Sequence, residues 1–183
     1  MPIANIVSVL ELGILSHERA SKIEHQSAAM QEIQDRRDKK RVPGGLRLHQ
    51  YANLYFHARN PMLYKRKEDA ASLCVLRVST EVKHLDGVVI TDQNAASDWV
   101  RFLHPRQIRL LDFDAIYALD WQHPNDPIAY RRHKSKKCAE VLVPHFVDPK
   151  FLVGAYVVDC NVADKLSRIC ALPLMVDASM FFR

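Results

Sequence analysis

The chain has 183 residues, of which 48% are hydrophobic and 26% are charged, a composition ordinary for one globular domain with a buried core. No apolar run approaches the ~20 residues that a membrane-spanning helix needs, and no secretory signal pattern opens the chain. We therefore expect neither a membrane protein nor a secreted one, and a cytoplasmic location. The net charge of +5 favours polyanionic partners.

The first part of the chain predicts two helices. Apolar residues at helical spacing mark the first, and Gly13 is expected to end it: Ile3, Ile6, Val7, Leu10 and Ile14. The second helix is predicted over residues 27–40, with Ser27 as its N-cap and the apolar residues 28–30 at its start. A Pro-Gly-Gly turn follows at 43–45, as either a mobile loop over a site or a plain surface connection.

Short strands and helices are predicted over the rest of the chain. Strands are expected over residues 53–58, 73–79, 88–91, 140–143, 152–158 and around 173–182. Helices are expected over 93–103, 112–121 and 161–170, with a break at 123–127. Because the strands and helices mix without a regular β-α-β alternation, the pattern predicts a single α+β domain over residues 1–183.

The four cysteines and nine histidines do not indicate a metal site. The cysteines are Cys74, Cys138, Cys160 and Cys170, and no two of them form a C-x-x-C pair. The histidines are scattered, without a pair at helical spacing on a clear helix. We expect reduced, mostly buried thiols and no metal.

An arginine stands where a predicted strand gives way to a proline turn, in the stretch NLYFHARNPMLY over residues 53–64. Pro61 disfavours helical geometry for Asn60, so Arg59 lies at the end of the strand. A guanidinium there can reach into a cleft and clamp phosphates or an acceptor through its planar fork. The alternative is an ordinary ion pair with a surface carboxylate.

Glu140 stands at the head of an apolar strand, in the sequence AEVLV. A carboxylate in that position either faces solvent at the edge of the strand or points sideways into a cleft while its neighbours enter the core. The residue types alone leave both alternatives open.

Basic residues crowd two segments. The first contains Arg36, Arg37, Lys39, Lys40, Arg41 and Arg47, and the second contains Arg131, Arg132, His133, Lys134, Lys136 and Lys137. Each run is either a solvated face or a surface for a polyanion. Two runs on either side of Arg59 favour nucleic acid. Tyr130, beside the second run, adds an aromatic ring on which a base of a single strand can stack.

Three segments together resemble the DarT-type ADP-ribosyltransferases, toxins that modify bases of single-stranded DNA. They are ARNPMLY at 58–64, AEVLV at 139–143 and TDQNAA at 91–96, where Gln93 replaces the usual glycine of the family. The resemblance extends over most of the chain, from about Ile3 to about Phe182, and it implies that residues 124–139 form the loop leading into Glu140. It implies an ADP-ribosyltransferase fold, with two small packed β-sheets, flanking helices and NAD in a central cleft.

The resemblance also implies roles for individual residues. Glu140 and Arg59 become the candidate catalytic residues. The candidate NAD-binding residues are His49, Tyr51, Arg59 and Tyr64. The candidate nucleic-acid-binding residues are Arg36, Arg37, Asn94, Tyr130, Arg131, Arg132 and Lys134, although Asn94 is as well explained as a helix cap.

Elementary chemistry agrees with the role of Glu140. Cleavage of the bond between nicotinamide and ribose develops positive charge on the ribose, as in glycoside hydrolysis. A carboxylate beside that charge stabilises the transition state more than the ground state, and it can also accept a hydrogen bond from a ribose hydroxyl. Arg59 is a poor base at the ordinary pKa of arginine, so a clamping or electrostatic role is favoured.

The function implied is transfer of ADP-ribose from NAD to a base of single-stranded DNA, with release of nicotinamide. The NPMLY form favours thymine over guanine as the acceptor. The expected partner is a DarG-like macrodomain antitoxin that removes the modification. Family members usually begin with a strand carrying His-x-Thr, which this sequence lacks. The alternatives are therefore an enzyme acting on RNA or protein, and an inactive relative that binds nucleic acid or the antitoxin.

Overall fold

The structure is a computed structural model that describes residues 1–27 and 31–182. Its strands are β1 (Ile14–Leu15), β2 (Tyr51–Tyr55), β3 (Val75–Val78), β4 (Val89–Thr91), β5 (Phe102–Leu103), β6 (Glu140–Pro144), β7 (Phe146–Val147), β8 (Leu152–Val157) and β9 (Leu174–Val176). Its α-helices are α1 (Ile6–Leu12), α2 (His17–Ala20), α3 (Gln31–Asp38), α4 (Pro61–Tyr64), α5 (Phe113–Tyr117), α6 (Pro127–Lys136) and α7 (Cys160–Ser167). Short 3₁₀ turns connect many of them.

The described strands form three small sheets. The largest is antiparallel, in the order β2-β6-β4-β5. A second sheet has the order β3-β8-β9, with β3 antiparallel and β9 parallel to β8. The pair β1-β7 forms the third. The α+β class is confirmed, and the described strands form a third, two-stranded sheet in addition to the two expected.

The register of the largest sheet positions the candidate site. Glu140, the first residue of β6, pairs with Tyr55, the last residue of β2. Arg59 follows Tyr55 by four residues. The two candidate catalytic residues therefore reach the same end of one strand pair, although 80 residues of chain separate them.

Apolar side chains on the inner faces of the sheets and helices form the core. Helix α7 packs Val162 and Leu166 against Ala155 and Val157 of β8. On the largest sheet, Ile90 of β4 is buried together with a neighbouring cluster from β5, α5 and the loop before β6. Three of the four cysteines are buried in these layers, whereas Cys160, at the start of α7, is exposed.

Gly13 ends the first helix as predicted, but earlier than the apolar spacing indicated. Helix α1 stops at Leu12, Gly13 has a φ of 82°, and Ile14 belongs to β1. A β-carbon at Gly13 would lie 2.0 Å from the carbonyl oxygen of Val147. The chain can turn here only because glycine has no side chain.

The helix predicted over residues 93–103 is wrong. This segment forms turns followed by β5. The side chain of Asp92 accepts from the backbone N–H of Arg101, and that of Asn94 accepts from the backbone N–H of Ala96. Short polar side chains that bind nearby backbone in this way compete with a helix.

The loop predicted over 124–139 is also wrong, because most of it is helix α6. Asp126 caps this helix by accepting from the N–H groups of Ile128 and Ala129, and Pro127 occupies its first position. Both features are ordinary signals for the start of a helix. Neither was used in the prediction, because Pro124 and Pro127 predicted a break in the helix pattern there.

The other predicted elements lie in the right places but with inexact ends, whereas β1, β7, α2 and α4 were not predicted. Among the predicted elements, β2 begins and ends earlier than expected, α5 is shorter, and the last predicted strand contains β9 and a 3₁₀ turn at 178–180. The predicted apolar start of the second helix, residues 28–30, lies outside the described residues. No helix in the described parts of the chain is long and apolar enough to cross a bilayer.

Candidate active site

A large cleft runs from the four-stranded sheet at β2 to the three-stranded sheet at β3. Its volume is about 2010 Å³, roughly twice the upper end of the ~300–1,000 Å³ usual for a small-molecule pocket. Its walls also include parts of α3, of the 93–99 turns and of α6. The cleft can therefore accommodate more than one small molecule.

Glu140 lies beneath a wall of this cleft and has no exposed surface. Its backbone N–H donates to Thr91 Oγ1 at 3.0 Å, which fixes the start of β6. Its carboxylate accepts from the backbone N–H of Ala95 at 3.0 Å, through Oε1. Burial of a carboxylate costs several kcal/mol unless charge and hydrogen bonds compensate it. The side chain is therefore held in place by surrounding groups.

Arg37 supplies the compensating charge. Its Nη1 donates to both carboxylate oxygens of Glu140, at 3.1 Å to Oε1 and 3.0 Å to Oε2. The arginine side chain is only 6% exposed. Arg37 was expected on a nucleic-acid-binding surface, but the structure places its guanidinium inside the molecule as the ion-pair partner of Glu140.

Two more residues share the environment of this carboxylate. Burial, together with the nearby charge of Glu140, raises the pKa of the Cys138 thiol to about 12. The same two causes raise the pKa of Tyr55 well above its usual value. Both side chains therefore stay neutral near the site, and both line the cleft. Glu140 is thus the anion of this part of the wall.

Arg59 is clasped by the C-terminal segment. Its Nη1 donates to the carbonyl oxygens of Ser179, at 2.9 Å, and Phe181, at 2.5 Å. Its guanidinium carbon lies 4.2 Å from the centre of the Phe182 ring. Residues on both sides of Arg59 line the cleft. The arginine is therefore anchored through one nitrogen and one face, beside the cleft.

Lys137 and His57 adjoin Arg59, and the sequence alone did not single them out. Lys137 has no exposed surface, and its Nζ donates to the carbonyl oxygens of Ile116 and Ala118 at 2.8 and 2.6 Å. The same Nζ lies 3.4 Å from His57 Nδ1. Burial, with Arg59 nearby, lowers the pKa of Lys137 to about 8, and burial with Lys137 nearby lowers that of His57.

The other candidate NAD-binding residues lie at different places. His49 is outside the main cleft, with its ring 4.3 Å from that of His17 and its Nδ1 3.3 Å from Asp38; burial lowers its pKa. Tyr51 is buried in the core, and its hydroxyl accepts from the N–H of Leu46. Their positions favour support of the loop before β2.

Tyr64 remains half-exposed beside Arg59. Its ring packs edge-to-face against Phe182, with ring centres 5.1 Å apart, and against Trp121 at 5.8 Å. It therefore completes the aromatic support of the arginine.

The candidate nucleic-acid-binding residues other than Arg37 lie on or near the mouth of the cleft. Lining residues among them are Arg36, Asn94, Arg131, Arg132 and Lys134. Tyr130 adjoins Lys134, whose Nζ lies 5.3 Å from the ring centre.

Trp99 was missed by sequence reasoning. It is 86% exposed and lines the cleft near the same basic residues. Trp99 falls within the helix predicted over 93–103, and an aromatic residue on a helix is ordinarily buried in the core, so it was not considered as a binding residue. A large ring left in solvent beside cations suits the stacking of an unpaired base.

No group of three or more His, Cys, Asp and Glu side chains within residues 1–27 and 31–182 is arranged to hold a metal ion. The chemistry that the described site offers is therefore a buried anion, anchored cations and aromatic surfaces around a cleft.

Comparison with known proteins agrees with this arrangement. A protein named as a DNA ADP-ribosyl transferase–DNA ADP-ribosyl glycohydrolase fusion, from Thermosipho africanus, is 32% identical over an alignment of 191 positions that covers 98% of this chain and 47% of the fusion. This chain thus spans about half the length of that relative. A DNA ADP-ribosyl transferase from Thermus sp. is 32% identical over 154 residues, covering 77% of this chain and 70% of the relative.

Solved structures show the same fold. Thermus sp. 2.9 DarT in complex with ADP-ribosylated ssDNA superposes with a TM-score of 0.86 at 26% identity, covering 100% of this chain and 93% of that one. Thermosipho africanus DarTG in complex with ADP-ribose superposes with a TM-score of 0.82 at 30% identity, over 99% of this chain and 49% of that one. The family model described as ssDNA thymidine ADP-ribosyltransferase, DarT, matches residues 1–182. This chain belongs to the DarT family.

Proposed function

We propose that this chain transfers ADP-ribose from NAD to thymine in single-stranded DNA and releases nicotinamide. The observation that carries the proposal is the Glu140 carboxylate, held by Arg37 and Ala95 beneath the wall of a cleft that basic and aromatic residues flank. The DarT family model and the relatives that act on DNA support the choice of substrates.

The reaction breaks the bond between the ribose C1 atom and the nicotinamide nitrogen, and nicotinamide leaves with the bonding electrons. The cationic ribose is then attacked by the ring nitrogen of thymine, which loses its proton as the new C–N bond forms. Glu140 stabilises the positive charge on the ribose, because an anion prearranged in a dry site favours a developing cation.

Arg59 supplies charge on the other side of the site. Its Nη1 is occupied by backbone carbonyls, so the remaining edge of the guanidinium is available for the NAD pyrophosphate or for the acceptor base. The neutral form of His57, favoured by its lowered pKa, adds a group beside Arg59 that can take part in hydrogen bonding without adding charge.

In this proposal, the single strand of DNA lies along the mouth of the cleft. Arg131 and Arg132 are exposed on α6 and neutralise phosphates, and Trp99 offers a stacking surface for a base. This arrangement favours an unpaired strand, because base pairing would withhold both the ring face and the acceptor nitrogen.

The cellular setting follows from the same chemistry. A relative in which the transferase is fused to a DNA ADP-ribosyl glycohydrolase supports a DarG-like macrodomain partner that removes the modification. We place residues 1–183 in a single catalytic domain that acts as the toxin of such a pair. The cytoplasm, where NAD and single-stranded DNA meet, is its proposed location.

Mass spectrometry of an oligonucleotide tests the function. The chain is incubated with NAD and a thymine-containing single strand, a strand of the same length without thymine, or the corresponding RNA. The expected result is one added ADP-ribose on the first strand only. Modification of the RNA alone, or NAD binding without any modified nucleic acid, would contradict the proposal and favour the RNA-modifying or inactive alternative.

Glu140→Gln is the matched variant for the same assay. The amide keeps the size of the side chain but loses its charge, so transfer is expected to slow by about 10²–10³-fold. The control is Glu11→Gln, at an exposed carboxylate of α1 that does not line the cleft, and it is expected to keep the wild-type rate. A Glu140→Gln protein with full activity would remove Glu140 from the mechanism.

A further inference from the structure

Arg37 has a nitrogen that the protein itself does not use. Its Nη1 makes both hydrogen bonds to Glu140, while its Nη2 is buried and has no hydrogen-bond partner in the described part of the chain. A guanidinium carries five N–H donors, and a buried donor without a partner costs free energy. Arg37 also lines the cleft. Such an unpaired donor therefore indicates a missing acceptor on the cleft side.

Glu140 has a hydrogen-bond acceptor position that the protein does not use. Its Oε1 accepts from both Ala95 N and Arg37 Nη1, whereas Oε2 accepts only from Arg37 Nη1. Each carboxylate oxygen has two lone pairs, so Oε2 retains one position for a donor. A free acceptor and a free donor thus lie side by side on one ion pair, whose Nη1–Oε2 distance is 3.0 Å.

This pair fits a vicinal diol. One hydroxyl can donate its proton to Oε2, and the neighbouring hydroxyl can accept from Nη2. A phosphate would satisfy Nη2 as well, but its charge would be repelled by the adjacent carboxylate. A neutral ligand with one donor and one acceptor on adjacent atoms is therefore favoured over an anion.

We propose that Arg37 is a substrate-binding residue as well as the residue that positions Glu140: its free Nη2 donates to one hydroxyl of the nicotinamide ribose of NAD, next to the hydroxyl that the role of Glu140 already assigns to the carboxylate. This inference rests on the proposed function, since it takes NAD as the substrate. It removes Arg37 from the DNA-binding surface, unlike its neighbour Arg36.

Access to the pair requires a movement of α3. Glu140 has no exposed surface, and the Nη2 atom of Arg37 is buried as well. The end of α3 is tied to its surroundings by surface pairs, Lys40 with Asp98 at 2.8 Å and Asp38 with His49 at 3.3 Å. Pairs of this kind contribute little stability, so the end of α3 can shift at small cost while Arg37 stays paired with Glu140 and the ribose enters.

Calorimetric titration of the full chain, without DNA, tests the inference. The ligands are NAD and two analogues that lack either the 2-hydroxyl or the 3-hydroxyl of the nicotinamide ribose. The variant is Arg37→Lys, which keeps a cation opposite Glu140 but has no second nitrogen. We expect the variant to bind NAD about 10- to 100-fold more weakly, as for loss of a hydrogen bond to a charged group.

The decisive readout is the coupling between variant and ligand. For the analogue that lacks the accepting hydroxyl, wild type and Arg37→Lys should bind within about twofold of each other. An equal loss for NAD and for both analogues would mean that Arg37 acts only on the fold, and it would overturn the inference. Failure of the wild type to bind NAD at all would instead overturn the proposed function.

Two further variants keep the test independent of folding. Arg168→Lys, at an exposed arginine after α7 that does not line the cleft, is expected to bind all three ligands as the wild type does. If thermal melting shows that Arg37→Lys is unfolded at the assay temperature, the double variant Arg37→Gln with Glu140→Gln replaces the ion pair by two amides. It should no longer distinguish NAD from the analogues, and retained discrimination would overturn the inference.

Discussion

Lys137 shows how one buried cation can link the parts of the site. Its ammonium donates to two carbonyls at the end of α5 and lies next to His57, and so it links α5 to the loop that carries Arg59 after β2. Burial and the charge of Arg59 oppose its protonation. The residue therefore stabilises the geometry of the site through hydrogen bonds, at an electrostatic cost.

Because burial opposes protonation of Lys137, we expect the free energy of unfolding to depend on pH. The pKa of Lys137 falls from its ordinary 10.5 to about 8 in the folded protein, so between these values the unfolded chain binds more protons. The contribution of Lys137 to the free energy of unfolding therefore rises with pH across that window and is lowest below it.

Urea unfolding of the wild type and of Lys137→Met, at about pH 7.5 and about pH 9.5, measures this dependence. The difference in the free energy of unfolding should shift in favour of the wild type at the higher pH. Lys165→Met, at an exposed lysine of α7, serves as the control and should show no such shift. An unchanged difference between wild type and Lys137→Met would contradict the assignment.

Residue identity alone could predict part of this site. Glu140 and Arg59 stand out because each begins or ends an apolar strand next to a recognisable motif. Arg37 does not stand out, because it is one of several cations in a polar helix and its partner lies 103 residues away. Pairing of that kind depends on the sheet register and on the approach of α3, and neither is encoded in local pattern.

At the scale of elements, the C-terminal segment acts as a support for the strand end at Arg59. Ser179 and Phe181 contribute backbone carbonyls, and Phe182 contributes its ring, which also packs against Trp121 with ring centres 5.9 Å apart. The Arg59 guanidinium and the Phe182 ring form a cation–π contact, which stabilises a protein by about 0.5–2 kcal/mol.

Removal of this buried ring should therefore impair the reaction as well as lower the stability of the fold. Phe182→Ala is expected to lower kcat for ADP-ribose transfer by about 3- to 30-fold, because Arg59 loses part of its anchorage. Phe182→Tyr keeps the aromatic face and is expected to restore most of the rate. Full activity of Phe182→Ala, measured with the same oligonucleotide, would show that Arg59 does not depend on this support.

Helix α6 is the element that presents cations to the DNA. Each phosphate contact to a single strand contributes about 0.7 to the slope of log K against log salt. Arg131→Ala with Arg132→Ala should therefore reduce that slope by about 1.4. Lys150→Ala, at an exposed lysine that does not line the cleft, is the matched control. An unchanged salt slope in the double variant would place the DNA elsewhere.

The elements also show where local pattern misleads. Strand β6 was predicted correctly because a short apolar run ends at a proline. The 93–103 helix does not form, because Asp92 and Asn94 bind nearby backbone N–H groups themselves. Helix α6 was read as a loop because prolines on its N-terminal side suggested a break. In each failure, one side-chain contact or cap outweighed the residue propensities.

On the scale of the whole molecule, stability depends on how the N-terminal helix joins the sheets. Gly13 makes that junction possible by a positive φ and by close approach to Val147, which pairs with Ile14. The junction connects α1, which packs on the three-stranded sheet, to β1 and β7. A change at this glycine therefore disturbs two layers at once.

Gly13→Ala should lower the free energy of unfolding by about 1–3 kcal/mol or more, because backbone atoms must move to admit the methyl group. Gly44→Ala is the control, since Gly44 also has a positive φ but no atom within 4 Å of the added carbon. It should cost only about 1 kcal/mol of conformational strain. Equal losses in thermal or urea unfolding would show that close packing at Gly13 is unimportant.

The exposure of a single cysteine has a practical consequence for measurement. Cys74, Cys138 and Cys170 are buried, and Cys160 is exposed on α7, which contributes no residue to the lining of the cleft. A maleimide fluorophore should therefore label the folded protein at one position without any engineered substitution. Fluorescence anisotropy of that dye offers a way to follow the capture of an oligonucleotide while leaving the substrate and the walls of the cleft unmodified.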